Sequence, residues 1–115
     1  MPNIICKNLT GQSRDQVHET FHNMRKDNSG IPVVIGTIFE NRAYIWLAVP
    51  SILTKRFNAA IAISSIANLI SSGDCGYGNE YWSNASGEKV EGLQTALYKL
   101  CEIFRNQVAA NDFVI

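Results

Sequence analysis

The sequence predicts an α+β fold in which an antiparallel sheet carries helices packed on it as a second layer. Two β-rich runs, residues 31–38 and 43–49, flank a connection of hairpin length. Three further segments space their apolar residues as amphipathic helices do, so that the predicted order of elements is βαββαα. A chain of 115 residues with 46% apolar composition has the size of one domain and can bury a core. We therefore expect residues 1–115 to form a single domain.

The first strand and the first helix are predicted near the N-terminus. Residues 3–9 alternate as a short edge strand does. Ser13 and Gln16 fit a capping box, which satisfies free backbone N–H groups at the start of a helix. A helix is predicted over residues 14–26, with an apolar stripe at positions i, i+4 and i+7: Val17, Phe21 and Met24.

The other two helices are predicted on either side of a glycine-rich loop, residues 71–87. Pro50 has no N–H for a β-ladder and ends the second hairpin strand. Residues 51–70 form a turn and a helix whose broad apolar face includes small residues, which favours close packing on the sheet. Residues 90–108 keep helical spacing over about five turns.

Charge and cysteine content restrict the class of protein. Ten Lys and Arg residues balance ten Asp and Glu residues, so any nucleic-acid binding must depend on the local placement of charge. Cys6, Cys75 and Cys101 are odd in number and widely spaced, a pattern that matches neither a disulfide framework nor a paired zinc site. The apolar runs are too short to span a bilayer, and the N-terminus lacks a signal pattern. We expect a cytoplasmic protein that does not associate with membranes.

Three groups of residues could carry chemistry, and each has a simpler explanation. His18 and His22 have the i, i+4 spacing of metal ligands, but no third ligand follows at a recognisable spacing. Cys75 could be a nucleophile, and Asp74 and Glu80 could act as an acid and base pair. Solvated helix and loop residues account for all of them, so we predict no catalytic residue, metal or cofactor. A small hydrolase remains the least favoured alternative.

The glycine-rich loop has features of an anion-binding site. Gly76 and Gly78, followed by Asn79, could aim backbone N–H groups at a phosphate. The loop lacks the lysine of a P-loop and the strand-to-helix context of a dinucleotide site. Four basic residues could form a phosphate-facing rim: Arg42, Lys55, Arg56 and Lys89.

Four stretches form an ordered pattern over residues 30–104. They are the β-rich pair at 33–38 and 43–50, Leu-Thr-Lys-Arg-Phe-Asn-Ala at 53–59, Gly-Tyr-Gly-Asn at 76–79 with Asn-Ala-Ser-Gly at 84–87, and Lys-Val-Glu-Gly-Leu-Gln-Thr-Ala-Leu at 89–97. This pattern resembles the C-terminal domain (C-Ala, DHHA1-type) of alanyl-tRNA synthetases, in particular of the eukaryotic cytosolic enzymes. Domains of this type also occur in DHH phosphoesterases.

The resemblance implies a DHHA1-like two-layer sandwich and a non-catalytic, tRNA-binding accessory role. Such a domain would help an ATP-dependent alanine-tRNA ligase to recruit alanine tRNA through the outer corner of the tRNA, for aminoacylation and editing by the full-length enzyme. Aminoacylation itself would reside outside these 115 residues. The RNA-binding residues implied by the family motifs are Lys55, Arg56, Gly76, Tyr77, Gly78, Asn79, Asn84 and Lys89.

The sequence also departs from the family pattern. Asn79 stands where the family carries a basic residue, and Asp74 and Glu80 add negative charge nearby, which should weaken phosphate binding. The alternative function is therefore protein–protein association, as a homodimer, through Tyr81, Trp82 and the apolar tail at residues 113–115.

Overall fold

The computed structural model describes residues 3–73 and 76–109, with side chains up to Val108. Asp74, Cys75 and the tail at residues 113–115 lie outside the described residues, so the predictions that involve them are not tested. The strands are β1 (Ile5–Asn8), β2 (Val33–Phe39), β3 (Arg42–Ala48), β4 (Tyr77–Gly78) and β5 (Trp82–Gly87). The helices are α1 (Arg14–Asp27), α2 (Ala59–Ile66) and α3 (Leu93–Phe104). Short 3₁₀ turns occupy Ser51–Leu53, Ala67–Leu69 and Val90–Gly92, and a π-helical turn at Arg105–Ala109 follows α3.

The five strands form one mixed sheet in the order β1-β2-β3-β5-β4. The predicted α+β class is confirmed, but the sheet is not wholly antiparallel, because β1 pairs with β2 in parallel. Parallel neighbours need a crossover connection, and α1 provides it. The remaining pairs are antiparallel. The hairpin between β2 and β3 turns through Glu40 (φ 51°) and Asn41 (φ 62°), as a two-residue type I′ turn requires.

Helices cover both faces of the sheet, which makes three layers where two were predicted. Alternation along β3 is the cause, since Ile45 and Leu47 pack with α2 and α3 while Trp46 packs with α1 on the other face. The larger core lies between the sheet and the α2–α3 pair. The smaller one lies under α1, where Val17 and Phe21 are buried.

The predicted α1 is confirmed, including its cap. The backbone N–H of Ser13 donates to Oε1 of Gln16 (2.8 Å), and the N–H of Gln16 donates to Oγ of Ser13 (3.2 Å). These reciprocal bonds satisfy two N–H groups that the first helical turn leaves without partners.

The glycine-rich stretch holds two strands where only a loop was predicted. β5 lies inside the sheet between β3 and β4. Its side chains that face α2 are small and buried, namely Ser83, Ala85 and Gly87. A strand with so little apolar bulk lacks the alternating hydrophobic signal that identifies strands in a sequence.

No helix within the described residues is long and apolar enough to cross a lipid bilayer.

Candidate nucleic-acid interface

One half of the sheet surface on the α1 side is uncovered. α1 packs on β2 and the adjoining part of β3 and leaves β5 and β4 uncovered. Within the register, Trp46 pairs with Asn84, and Asn84 pairs with Tyr77, which places all three on the same face. We call this region the open sheet face. It consists of Tyr44, Trp46, Tyr77, Trp82, Asn84 and Ser86.

Aromatic rings dominate the open sheet face. Tyr44 and Trp46 are stacked, with ring centroids 5.9 Å apart and an interplanar angle of 16°. Tyr77 meets Trp82 edge to face at 6.3 Å. The Tyr77 side chain is 65% exposed, whereas Trp46 is 5% exposed and anchors the group in the core. The face thus offers ring surface on which a planar group can stack.

Two arginines border this aromatic surface. Arg14 begins α1 and Arg42 begins β3, and together with the face they line a cleft of about 210 Å³. The Arg42 guanidinium donates a weak hydrogen bond to Oγ of Ser86 (3.4 Å). Among the described residues, no carboxylate lines this cleft. Its electrostatic character is therefore positive in a chain with no net charge.

Asn79 and Gly78 shape the turn between β4 and β5. Oδ1 of Asn79 accepts from the backbone N–H of Tyr81 (2.9 Å) and of Trp82 (3.0 Å). Gly78 has φ +151°, and a Cβ atom there would overlap the carbonyl oxygen of Trp82. Gly76 lies beside α2, where its Cβ would be 3.3 Å from the Cβ of Ala67. The Asn79 oxygen is thus engaged, and its amide NH₂ group remains the part that can meet a ligand.

The basic residues predicted for the site occupy opposite ends of α2. Lys55 and Arg56 are exposed just before α2 begins, where the N–H of Ala59 donates to the carbonyl of Glu80 (3.1 Å) in the hairpin tip. Lys89 follows β5 and lies near the other end, where its backbone N–H donates to the carbonyl of Ile70, just beyond α2 (2.9 Å).

The eight predicted residues therefore fall into separate groups. Tyr77 and Asn84 lie together on the open sheet face. Asn79 lies in the hairpin whose tip contacts the segment carrying Lys55 and Arg56. Gly76 precedes the same hairpin and Gly78 is part of it, whereas Lys89 follows β5 and bonds to Ile70 beyond the end of α2.

Lys89 also has a carboxylate next to it. Oε1 of Glu88 accepts from the hydroxyl (2.6 Å) and the backbone N–H (3.0 Å) of Ser72. The Ser72 hydroxyl is the largest cause that lowers the pKa of Glu88 to about 2, and the Lys89 charge contributes. At the hairpin tip, a hydrogen bond and the charge of Glu80 raise the pKa of Tyr81. The carboxylates of Glu88 and Glu80 both reduce the positive potential near the predicted basic residues.

Cys6 and Cys101 are thiols that contact each other across β1 and α3 without a disulfide. A hydrogen bond from Cys6 is the main cause that lowers the pKa of Cys101 to about 7, and the Arg105 charge adds to it. The same bond and burial raise the pKa of Cys6.

No group of three or more metal-ligating side chains occurs within residues 3–73 and 76–109.

The sequence did not indicate Arg14, Tyr44 or Trp46 as site residues. Tyr44 and Trp46 alternate with Ala43, Ile45 and Leu47 along β3, which is typical of a strand buried on both faces. The only available signal was the recurrence of Arg42, Tyr44 and Trp46 at every second position, which puts them on one face.

Comparison with known proteins identifies the fold of this chain. No family model matches the sequence, and no curated protein matches it. Among solved structures, the chain is similar to the C-Ala domain from Aquifex aeolicus alanyl-tRNA synthetase, with a TM-score of 0.72 over 87% of this chain and 88% of that chain. This chain has the C-Ala fold. The two sequences are 15% identical, so the likeness concerns the fold, and a function has to be argued from the residues. The predicted eukaryotic cytosolic origin stays a prediction.

Proposed function

We propose that this chain is a non-catalytic RNA-binding domain that serves an alanine-tRNA ligase as a tRNA-binding accessory. The open sheet face carries the proposal, because it combines the exposed Tyr77 and the half-buried Tyr44 and Trp82 with Arg14 and Arg42 at its borders. The likeness to the C-Ala domain of an alanyl-tRNA synthetase supports the choice of tRNA as the RNA.

The chemistry of the face suits nucleic acid. Each base that stacks on an aromatic side chain contributes about 1–3 kcal/mol to binding. An arginine pairs with phosphate oxygens through two parallel N–H bonds. Because the net charge of the chain is zero, binding should depend more on stacking and less on bulk charge than it does in a basic protein.

The finer form of the proposal concerns the partner and the contact. The partner is alanine tRNA, which the domain contacts at the outer corner within a longer cytoplasmic enzyme. In addition to the predicted residues on the hairpin and before α2, the contact includes Arg14 and Arg42. Catalysis and cofactors belong to other parts of that enzyme.

The test is a titration of the domain with folded alanine tRNA and with an unstructured RNA of equal length, each at two salt concentrations. A preference for folded tRNA that persists at the higher salt concentration is expected. Weak, equal binding that disappears with salt would contradict the proposal. The double variant Lys55→Ala/Arg56→Ala should bind tRNA more weakly without changing its oligomeric state.

Self-association is a second candidate function, and two exposed isoleucine side chains favour it. Ile52 is 80% exposed and Ile61 is 66% exposed. Light scattering across a concentration series would detect a dimer, and the variant Ile52→Ser/Ile61→Ser should then shift the equilibrium to monomer. A monomer at all concentrations would rule this candidate out.

A further inference from the structure

A second cleft lies on the same side of the sheet, between the last turn of α1 and the end of β3. Its volume is about 380 Å³, compared with about 210 Å³ for the cleft at the open sheet face. Pockets that hold small molecules begin at about 300 Å³. We call it the α1-end cleft. One wall is formed by His22, Arg25 and Lys26 on α1, and the other by Ile31 and Pro50, with the backbone of the buried Val49 between Ala48 and Pro50.

The two walls differ in chemistry. The wall on α1 carries Arg25 and Lys26, and the Arg25 guanidinium lies 5.7 Å from the centroid of the Phe21 ring. A cation–π contact of this kind holds the arginine against the helix. The facing wall is apolar. Among the described residues, no carboxylate lines the cleft, although the chain holds as many acidic as basic residues. A ligand that fits both walls has a negative group and a flat apolar group.

The α1-end cleft continues the open sheet face. Its floor includes Ala48, whose partner across the ladder is Trp82, and Trp82 in turn contacts Tyr77. Along α1, Arg14 borders the first cleft and Arg25 borders the second. Their separation of eleven positions corresponds to about 16 Å along the helix axis. Four residues recur along this flank of α1 at i, i+4, i+8 and i+11: Arg14, His18, His22 and Arg25.

We propose that the α1-end cleft holds one unpaired nucleotide of the RNA that binds to the open sheet face. Its phosphate lies against Arg25 and Lys26, and its base lies against the apolar wall. A paired nucleotide would present only its phosphate and would leave the apolar wall exposed to water, whereas an unpaired base covers it. This inference rests on the proposed function, because the RNA must also occupy the open sheet face.

The first test uses two fluorescent RNA probes, a blunt-ended hairpin and the same hairpin with a short single-stranded overhang. The domain should bind the second probe more tightly. Ser29 is exposed and lines the cleft, which makes it the position for a matched pair of variants. Ser29→Glu places a negative charge at the phosphate position and should weaken binding of the overhang probe roughly tenfold. Ser29→Gln has a similar shape without the charge and should bind as the wild type does.

The second test measures the dependence of binding on salt. The double variant Arg25→Ala/Lys26→Ala should reduce the slope of log K against log salt by about 0.7, which corresponds to the one single-strand phosphate that the two side chains contact. Lys7→Ala/Lys99→Ala removes the same charge from exposed positions on β1 and α3 and should leave the slope nearly unchanged. Circular dichroism and thermal melting show whether each variant is folded.

The outcomes separate the two proposals. If the wild type binds neither probe and no tRNA, the proposed function fails and this inference fails with it. If the wild type binds both probes equally and Ser29→Glu matches Ser29→Gln, the inference alone is wrong. Binding of adenosine 5′-monophosphate that Ser29→Glu abolishes, without any binding of RNA, would overturn the assignment to RNA.

Discussion

Gly87, the last residue of β5, lies against the main chain of Ile70, so closely that a Cβ atom would overlap the Ile70 carbonyl oxygen. The same oxygen accepts a hydrogen bond from the N–H of Lys89 (2.9 Å). The carbonyl therefore cannot move away without losing a bond. This contact fixes the end of β5 to the segment that follows α2.

Gly87→Ala should destabilise the domain. The added methyl group forces either the strand or the Ile70 carbonyl out of position, and overpacking of this kind costs about 1–3 kcal/mol of unfolding free energy. Urea denaturation monitored by tryptophan fluorescence measures the change, since Trp82 lies on the same strand.

Gly30→Ala is the matched control for this prediction. A Cβ atom at Gly30 meets no atom within 4 Å, and its φ lies outside the left-handed region. The unfolding free energy should then change by less than about 0.5 kcal/mol. Equal effects of the two substitutions would show that the packing at Gly87 is not what limits stability.

The closeness of β5 to α2 also explains what the sequence could and could not predict. The first strand, the capped first helix, the hairpin and the last helix were all predicted, because each has a strong apolar period or a turn signal. β5 was missed, because its buried positions must be small. Ser83 is fully buried, and its hydroxyl donates to the carbonyl of Ala59 (2.8 Å). Polar and small residues of this kind are typical of loops when only the sequence is considered.

Tyr77→Ala should weaken RNA binding. The ring is 65% exposed on the open sheet face, so that it can stack on a base, and the loss should be about 1–3 kcal/mol of binding free energy. Because so little of the side chain is buried, the unfolding free energy should change much less than the binding free energy does. Fluorescence anisotropy with labelled tRNA measures the effect.

Tyr98→Ala provides the comparison for Tyr77. Tyr98 is 63% exposed on α3, which packs on the opposite face of the sheet. Its removal should leave RNA binding unchanged. If Tyr98→Ala lost as much affinity as Tyr77→Ala, the assignment of RNA binding to the open sheet face would be wrong.

Substitutions at Asn79 separate its role in the turn from a role in RNA binding. Asn79→Ala removes the acceptor for two backbone N–H groups and should cost about 1 kcal/mol of unfolding free energy. Asn79→Asp retains that acceptor and should keep nearly the stability of the wild type. If the side chain faces phosphate as predicted, Asn79→Asp will still weaken tRNA binding, because it adds negative charge and removes the amide donor. Unchanged affinity would limit Asn79 to the turn.

The candidate site was only partly predictable, for a topological reason. The resemblance to the C-Ala domain implied Tyr77 and Asn84, which do share the open sheet face. Arg14 and Tyr44 were not indicated, because their place at the site depends on which strands α1 covers. That depends on the parallel pairing of β1 with β2, which places α1 over one half of the sheet. No local pattern in the sequence specifies it.

Glu88 should make stability depend on pH in the acid range. Hydrogen bonds from Ser72 lower its pKa in the folded protein to about 2, whereas an unfolded glutamate has a pKa of about 4.3. A carboxyl group with a lowered pKa stabilises the fold fully above its unfolded pKa, and this contribution is lost as pH falls from about 5 towards 2. Glu88→Gln, which cannot ionise, should be less stable than the wild type at pH 7, and the difference in melting temperature should shrink as pH approaches 2. Glu91→Gln removes an exposed carboxylate three residues away and serves as the control. If the Glu88→Gln difference stayed constant from pH 7 to pH 2, the ionised carboxylate would not be what joins Ser72 to the end of β5.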